Sequence, residues 1–146
     1  MKDNYYDSIT MIESVYRLFL DTLTLQLNKA QIRDINSVQA VILYNIGDRT
    51  LSIGELTGQG CYLATNVSYN LRKLVENGYI LKEPQKYDRR SNQVKRTKKG
   101  LDLSEKLDQI FEDQAKFMEE KGIGEEKMKD FVLTLSSIDR NLRKIR

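Results

Sequence analysis

The sequence contains no histidine and a single cysteine, Cys61, in 146 residues. The absence of histidine, together with the single cysteine, excludes an ordinary structural zinc site and the Ser-His-Asp and Cys-His arrangements of hydrolases. A single cysteine excludes an intramolecular disulfide and is typical of a reducing compartment. We therefore expect no cofactor, no metal site and no histidine-dependent catalysis.

Phosphate-loop and membrane signals are also missing. Neither GxGxxG nor GxxxxGK[ST] occurs. No apolar run approaches the roughly 20 residues of a membrane span, and the first residues lack the layout of a secretory signal. The acidic pairs Glu112–Asp113 and Glu119–Glu120 fit a solvated helix face better than acid–base catalysis. These absences predict a cytoplasmic protein that is not an enzyme and has no membrane partner.

Charge is unevenly distributed, although the net charge is only +3. Lys82–Lys99 contains eight Lys or Arg and two acids, whereas Asp102–Asp130 contains ten acids and five Lys. A separate basic patch is typical of a nucleic-acid binder. The alternative is a solvated hairpin whose charges only prevent edge pairing.

The basic patch follows a helical pattern from Ala64 to Asn77. Its apolar residues recur at steps of three and four, and Gly78 follows where a left-handed helix end is expected. The apolar face is Val67, Leu71, Leu74 and Val75, and the polar face is Asn66, Ser68, Tyr69, Asn70, Arg72 and Lys73. Two extended segments, Tyr79–Leu81 and Ser91–Arg96, follow the helix. Together they predict a winged helix-turn-helix.

Long amphipathic helices are predicted on both sides of this region, over about Asp3–Ala30, from Thr97 to about Lys121 and over Glu125–Ile145. The fold class is mainly α with a small β-hairpin wing (α+β). We assign 1–146 to one fold, with 35–97 as the winged helix-turn-helix and 1–34 and 98–146 as dimerisation helices. A homodimer would cover their apolar stripes. A monomeric bundle is the alternative.

The wing resembles that of the MarR-type transcriptional regulators. The run Asp88-Arg89-Arg90-Ser91, then Val94, then Thr97-Lys98-Lys99-Gly100 is similar to that family's wing motif. The segment from Leu74 to Ile80 is similar to the end of its recognition helix, whereas Arg96 departs from a usual Leu. The resemblance implies a bacterial regulator that binds a pseudo-palindromic operator in double-stranded DNA. The alternative from another class is a protein-interaction module with only non-specific DNA binding.

The resemblance also implies roles for individual residues. The candidates for base reading are Thr65, Asn66, Ser68, Tyr69 and Arg72, and those for the wing and phosphates are Lys86, Asp88, Arg89, Arg90, Lys95 and Arg96. Arg90 would enter the minor groove with Asp88 orienting it. Ser68 and Tyr69 could instead hold phosphates, Asn66 could cap the helix, and Tyr69 could pack on a neighbouring helix.

A small aromatic or lipophilic effector is the switch that the resemblance implies. Its pocket residues would be Tyr16, Phe19, Leu20, Leu43, Tyr44 and Tyr62, and ordinary core packing is the alternative for each. Cys61 precedes the recognition helix, and filling a turn is the favoured role for it. We do not predict redox sensing.

Overall fold

The computed structural model describes residues 1–60, 64–84 and 92–146, without the side chains of residues 59, 60, 64 and 65. The described elements are α1 (Lys2–Lys29), α2 (Ser37–Ile46), β1 (Leu51–Ser52), α3 (Ile53–Gly60), α4 (Ala64–Glu76), β2 (Ile80–Pro84), β3 (Asn92–Arg96), α5 (Lys98–Glu120) and α6 (Glu125–Ile145). The mainly helical fold with a small wing is therefore confirmed.

The helix ends follow local sequence signals. Asn36 caps α2, since its side chain accepts from the Gln39 N–H while the Gln39 side chain accepts from the Asn36 N–H. At the end of α4, Gly78 has φ +80 and the Tyr79 N–H donates to the Leu74 carbonyl, which is a Schellman closure. Thr97 caps α5, because its Oγ1 accepts from the Gly100 N–H.

The sheet has three antiparallel strands in the order β1-β3-β2. Leu51 pairs with Val94, and Ile80 pairs with Arg96. The wing hairpin, β2 and β3, is therefore joined at its base to the short strand that precedes α3. This pairing holds the wing beside the helix-turn-helix.

One core lies in the first of two units, Met1–Leu107. Helices α1 to α4, the sheet and the start of α5 contribute side chains that are almost fully buried: Leu23, Leu27, Ile42, Leu43, Ile46, Leu56, Val67, Leu71, Leu74, Ile80, Val94 and Leu107. Each such side chain contributes about 1.5–3 kcal/mol by leaving water. On α4, Val75 was predicted on the buried face, but its side chain is 37% exposed.

The second unit, Asp108–Arg146, contains the rest of α5 and all of α6. Gly122 ends α5 with φ +90, and Ile123 donates to the Met118 carbonyl in a second Schellman closure. Helix α6 has an apolar stripe but no buried residue. In the described part of the chain, no helix combines the length and apolar content needed to cross a membrane.

Candidate nucleic-acid interface

Helix α4 presents a polar, cationic surface on the side opposite its buried residues. Val67, Leu71 and Leu74 are almost fully buried, whereas Asn66, Ser68, Tyr69 and Arg72 are exposed. This division follows the helical period, since the exposed residues fall between the apolar positions. The structure therefore brings together four of the five predicted base-reading residues. Thr65 lies in the same helix, but its side chain is outside the described part.

Tyr69 lies at the centre of a cationic cluster on this surface. The Arg72 guanidinium carbon is 5.5 Å from the Tyr69 ring centroid, and the Lys73 Nζ is 5.9 Å from it. Such cation–π contacts restrain the long side chain of an arginine. Tyr69 is 51% exposed, so packing on a neighbouring helix does not describe its position. A restrained guanidinium suits bidentate hydrogen bonding to guanine.

Asn66 is the third residue of α4, which begins at Ala64. That position is inside the first turn and not at the N-cap, so the capping alternative does not fit. Its exposed amide can donate and accept at once, as adenine recognition requires.

The strands of the wing present further charge. Lys95 is exposed on β3 and its Nζ lies 3.4 Å from the Glu83 carboxylate on β2. An exposed pair of this kind adds little stability, because water screens it. Lys95 therefore remains accessible to a phosphate. The predicted wing residues Lys86, Asp88, Arg89 and Arg90 lie outside the described residues.

Arg96 differs from its predicted role as a phosphate contact. Its side chain is only 11% exposed, and its guanidinium pairs with Asp48 in the turn between α2 and β1. The pair joins the base of the wing to that turn. The structure thus gives Arg96 a position that supports the wing, which accounts for a polar residue where the family usually has Leu.

Asn70 was predicted on the polar face of α4, and that prediction is wrong. The side chain is 8% exposed, and its Oδ1 accepts a hydrogen bond from Gln39 Nε2 at 3.2 Å. Gln39, on α2, is 6% exposed. Burial of Asn70 is possible because this partner satisfies its carbonyl.

A polar junction connects the α1–α2 linker to the end of α4 and the start of α5. Asp34 accepts hydrogen bonds from the Tyr79 hydroxyl at 2.6 Å and from Lys99 Nζ at 2.8 Å. Asn77 donates to the Asp34 carbonyl at 2.8 Å, and Lys99 also donates to the Asn77 carbonyl at 2.7 Å. The junction joins segments that are up to 65 residues apart in sequence.

The charges in this junction shift two pKa values. Burial raises the pKa of Asp34, but the hydrogen bonds from Lys99 and Tyr79 and the charge of Lys99 outweigh it and lower the pKa overall. Burial, together with the hydrogen bond to the Asp34 carboxylate and its charge, raises the pKa of Tyr79 above its ordinary value. The ionised Asp34 and the neutral Tyr79 are therefore the forms that the fold favours.

The predicted effector residues are not all accessible. Leu43 is fully buried in the core, whereas Tyr16 is 47% exposed on α1 with its ring stacked on Phe19 at a centroid distance of 6.2 Å. Leu20 and Tyr44 are half-buried, and Tyr62 lies outside the described residues, as does Cys61. A cleft of about 280 Å³ occurs elsewhere, lined by Gly47, Asp48, Thr50, Lys95, Arg96, Thr97, Lys98 and Leu101.

Sequence reasoning missed the polar residues that support α4 and the wing: Asp34, Gln39, Asp48, Asn70 and Lys99. One local signal was available, because Asn36-x-x-Gln39 has the spacing of a capping box. The other partners lie at least 31 residues apart in sequence, where no local pattern connects them.

Comparison with known proteins agrees with this geometry. The family model described as "Winged helix DNA-binding domain" matches residues 35–100. A MarR transcriptional regulator from Methanosarcina mazei Go1 has a solved structure with a TM-score of 0.77, covering 94% of this chain and 96% of that chain at 20% identity. This chain has the MarR fold. The resemblance to the MarR regulators that the wing motif suggested is therefore confirmed.

Two further proteins are similar to the chain. Streptococcus pneumoniae FabT, solved in complex with DNA, has a TM-score of 0.72 and 20% identity, with coverage of 97% of this chain and 99% of that chain. The exopolysaccharide II synthesis transcriptional activator ExpG of Rhizobium meliloti (strain 1021) is 34% identical over 99 residues, which is 68% of this chain. The chain spans about half the length of this curated relative, since the match covers 51% of it.

Proposed function

We propose that this MarR-fold chain is a transcriptional regulator that binds a specific operator in double-stranded DNA. The observation that carries the proposal is the exposed surface of α4, where Asn66, Tyr69 and Arg72 stand opposite the buried face. An α-helix fits the major groove, where side chains of these types distinguish base pairs. ExpG is a transcriptional activator and FabT is solved in complex with DNA, which supports the same role here.

The proposal includes a homodimer on a pseudo-palindromic operator. Helix α6 buries no residue within one chain, and its Phe131 and Val132 are 51% and 56% exposed. On α1, Met11, Val15 and Leu18 are 57–65% exposed. Exposed apolar side chains on each of these two helices favour an interface, and a second copy would cover them. Two-fold symmetry then places the half-sites about one helical turn, roughly 10 base pairs, apart.

Modulation by a small aromatic or lipophilic effector is part of the proposal and rests on the resemblance. The stacked Tyr16 and Phe19 rings of α1 offer an aromatic surface for such a compound. An effector should raise the melting temperature and weaken operator binding in the same concentration range, because both effects report one site.

The first experiment selects genomic DNA fragments on the purified protein at about 150 mM salt, where general phosphate binding is weakened. A recovered pseudo-palindrome is the expected result. Only salt-sensitive binding without a shared motif would overturn the proposal and favour a protein-interaction module.

Two cations of this interface should affect DNA binding in different ways. Arg72→Ala should cost about 1–3 kcal/mol on the operator and relax preference at one base position, since its guanidinium reads a base edge. Lys95→Ala is the matched control, because a phosphate contact should weaken binding uniformly and lower the salt slope by about 1. Titrations on a panel of operators, each with one base pair changed, measure both effects. Equal preference profiles for the two variants would contradict the assignment of Arg72.

A further inference from the structure

Among the described side chains of helix α4, one polar side chain lies on the buried side. Asn70 is 8% exposed, and its Oδ1 accepts a hydrogen bond from Gln39 Nε2 across the interface between α2 and α4. The other buried residues of α4, such as Val67, Leu71 and Leu74, are apolar. Asn70 thus introduces a directional contact into an otherwise non-directional interface.

The orientation of the Gln39 side chain is fixed, because both ends of its amide form hydrogen bonds. Its Oε1 accepts from the Asn36 N–H at 3.1 Å, and its Nε2 donates to Asn70. The backbone N–H of Gln39 also donates to Asn36 Oδ1 at 2.8 Å. The Nε2 is therefore aimed at Asn70 by the cap of α2. The result is a chain of hydrogen bonds that runs from the exposed Asn36 through Gln39 to the buried Asn70.

Such a contact restricts how α4 can turn about its own axis. Apolar side chains can slide over one another with little change in free energy. A buried amide that loses its hydrogen-bond partner instead raises the free energy of the folded state, because water no longer solvates it. A turn of about 20° would displace side-chain groups on the outer surface of a helix by about 2 Å. That displacement is enough to break a bidentate contact to a base, which needs donor–acceptor distances near 3 Å.

We propose that the Gln39–Asn70 hydrogen bond is a positioning contact that fixes the rotation of α4 and thereby determines base discrimination. It acts on the base-reading surface from behind, and neither residue touches DNA. The contact contributes to the difference between operator and non-operator affinity, and it contributes little to general phosphate binding. This inference rests on the proposed function, because it requires that α4 reads bases.

The test replaces the pair by apolar residues of similar size in a double variant, Gln39→Met with Asn70→Leu. Replacement of both partners of a buried hydrogen bond by apolar groups of similar shape can be nearly neutral, so the double variant should fold. It also loses the hydrogen bond from the exposed Asn36 N–H to Gln39, which water can replace. Discrimination between the operator and operators with one changed base pair should fall by roughly tenfold. The affinity for random DNA and the salt slope should stay as in the wild type.

Two single variants separate positioning from stability. Gln39→Glu keeps the capping-box acceptor but offers Asn70 an acceptor in place of a donor. The Asn70 side-chain amide would have to rotate so that its Nδ2 donates to the Glu carboxylate. Discrimination should then be retained, because the two helices stay joined by a hydrogen bond. Asn36→Ala removes the side-chain cap but keeps the residue-36 backbone N–H that Gln39 Oε1 accepts, so Gln39 stays aimed at Asn70. The melting temperature should then fall while discrimination is retained.

The outcomes distinguish the two proposals. A double variant that melts like the wild type and keeps full discrimination would overturn the positioning role. So would an equal loss of affinity for operator and random DNA. If the wild type itself shows no operator preference, the proposed function fails, and the positioning role fails with it.

Discussion

At the scale of single residues, Gly100 shows why the Thr-x-x-Gly run needs glycine. Gly100 lies in the first turn of α5, and a Cβ built there would be 2.1 Å from the Tyr79 carbonyl oxygen. That oxygen already accepts the Thr97 N–H at 3.0 Å, so it cannot move away without loss of the bond. The start of α5 and the start of the wing thus approach each other backbone to backbone.

Gly100→Ala should therefore lower the free energy of unfolding by about 1–3 kcal/mol, because the backbone must shift to admit a methyl group. The matched control is Gly58→Ala in α3, where a Cβ meets nothing within 4 Å. There alanine should stabilise by up to about 1 kcal/mol through helix propensity. Urea unfolding of both variants measures the difference. A Gly100→Ala variant as stable as wild type would contradict the close approach.

At the scale of elements, the position of α4 is set at several points along its length. Leu71 and Leu74 pack in the core, Gly78 ends the helix, and Asn77 is tied to Asp34 in the α1–α2 linker. Tyr79, the residue before β2, joins the same junction through its hydroxyl. Elements far apart in sequence therefore hold the end of α4 and the start of the wing together.

The junction should make the stability of the fold depend on pH. The folded state lowers the pKa of Asp34 from its ordinary 3.8, so the folded protein binds fewer protons than the unfolded chain near that pH. The stability from the ionised carboxylate is present above about pH 4 and is lost as the pH falls through the lowered pKa. In the Asp34→Asn variant, the acid-induced loss of stability should be shallower than in wild type.

Urea unfolding at intervals from about pH 6 to about pH 2 tests this, because the slope against pH counts the protons bound on unfolding. Asp102→Asn, which removes an exposed carboxylate on α5 outside the junction, is the control for the change of charge alone. If Asp34→Asn and wild type show the same slope, the junction does not stabilise the ionised carboxylate.

At the scale of the whole molecule, helix α6 is the element that one chain leaves least covered. All of its residues are at least partly exposed, and Phe131, Val132 and Leu133 are 51–64% exposed. Burying apolar surface of this kind gains about 25 cal/mol per Å². The proposed dimer would supply that burial.

Phe131→Glu should therefore convert the dimer into a single chain of 17.0 kDa, because the interface would bury an unpaired carboxylate. Lys129→Glu changes an exposed residue of the same helix and should leave the dimer intact. Sedimentation velocity measures the mass, and operator binding should weaken in Phe131→Glu because only one half-site is engaged. A wild type that sediments as one chain would exclude the dimer.

The sequence by itself determined most of the long helices and the exposed face of α4. Apolar spacing located α1, α4, α5 and α6, and Gly78 marked the end of α4, because these signals act within a few residues. The same periodicity put Asn66, Tyr69 and Arg72 on the exposed side of α4. The wing motif added the family resemblance and with it the order of the fold.

Only the tertiary structure decided which polar groups support that face. Asparagine usually lies at the surface, but Asn70 is buried because Gln39 of α2 forms a hydrogen bond with it. Arg96 pairs with Asp48 instead of pointing to solvent. The pairing of β1 with β3 and the Asp34 junction are decided in the same way. Helical period specifies the face on which a side chain lies, but the partner on that face is set by where distant segments meet.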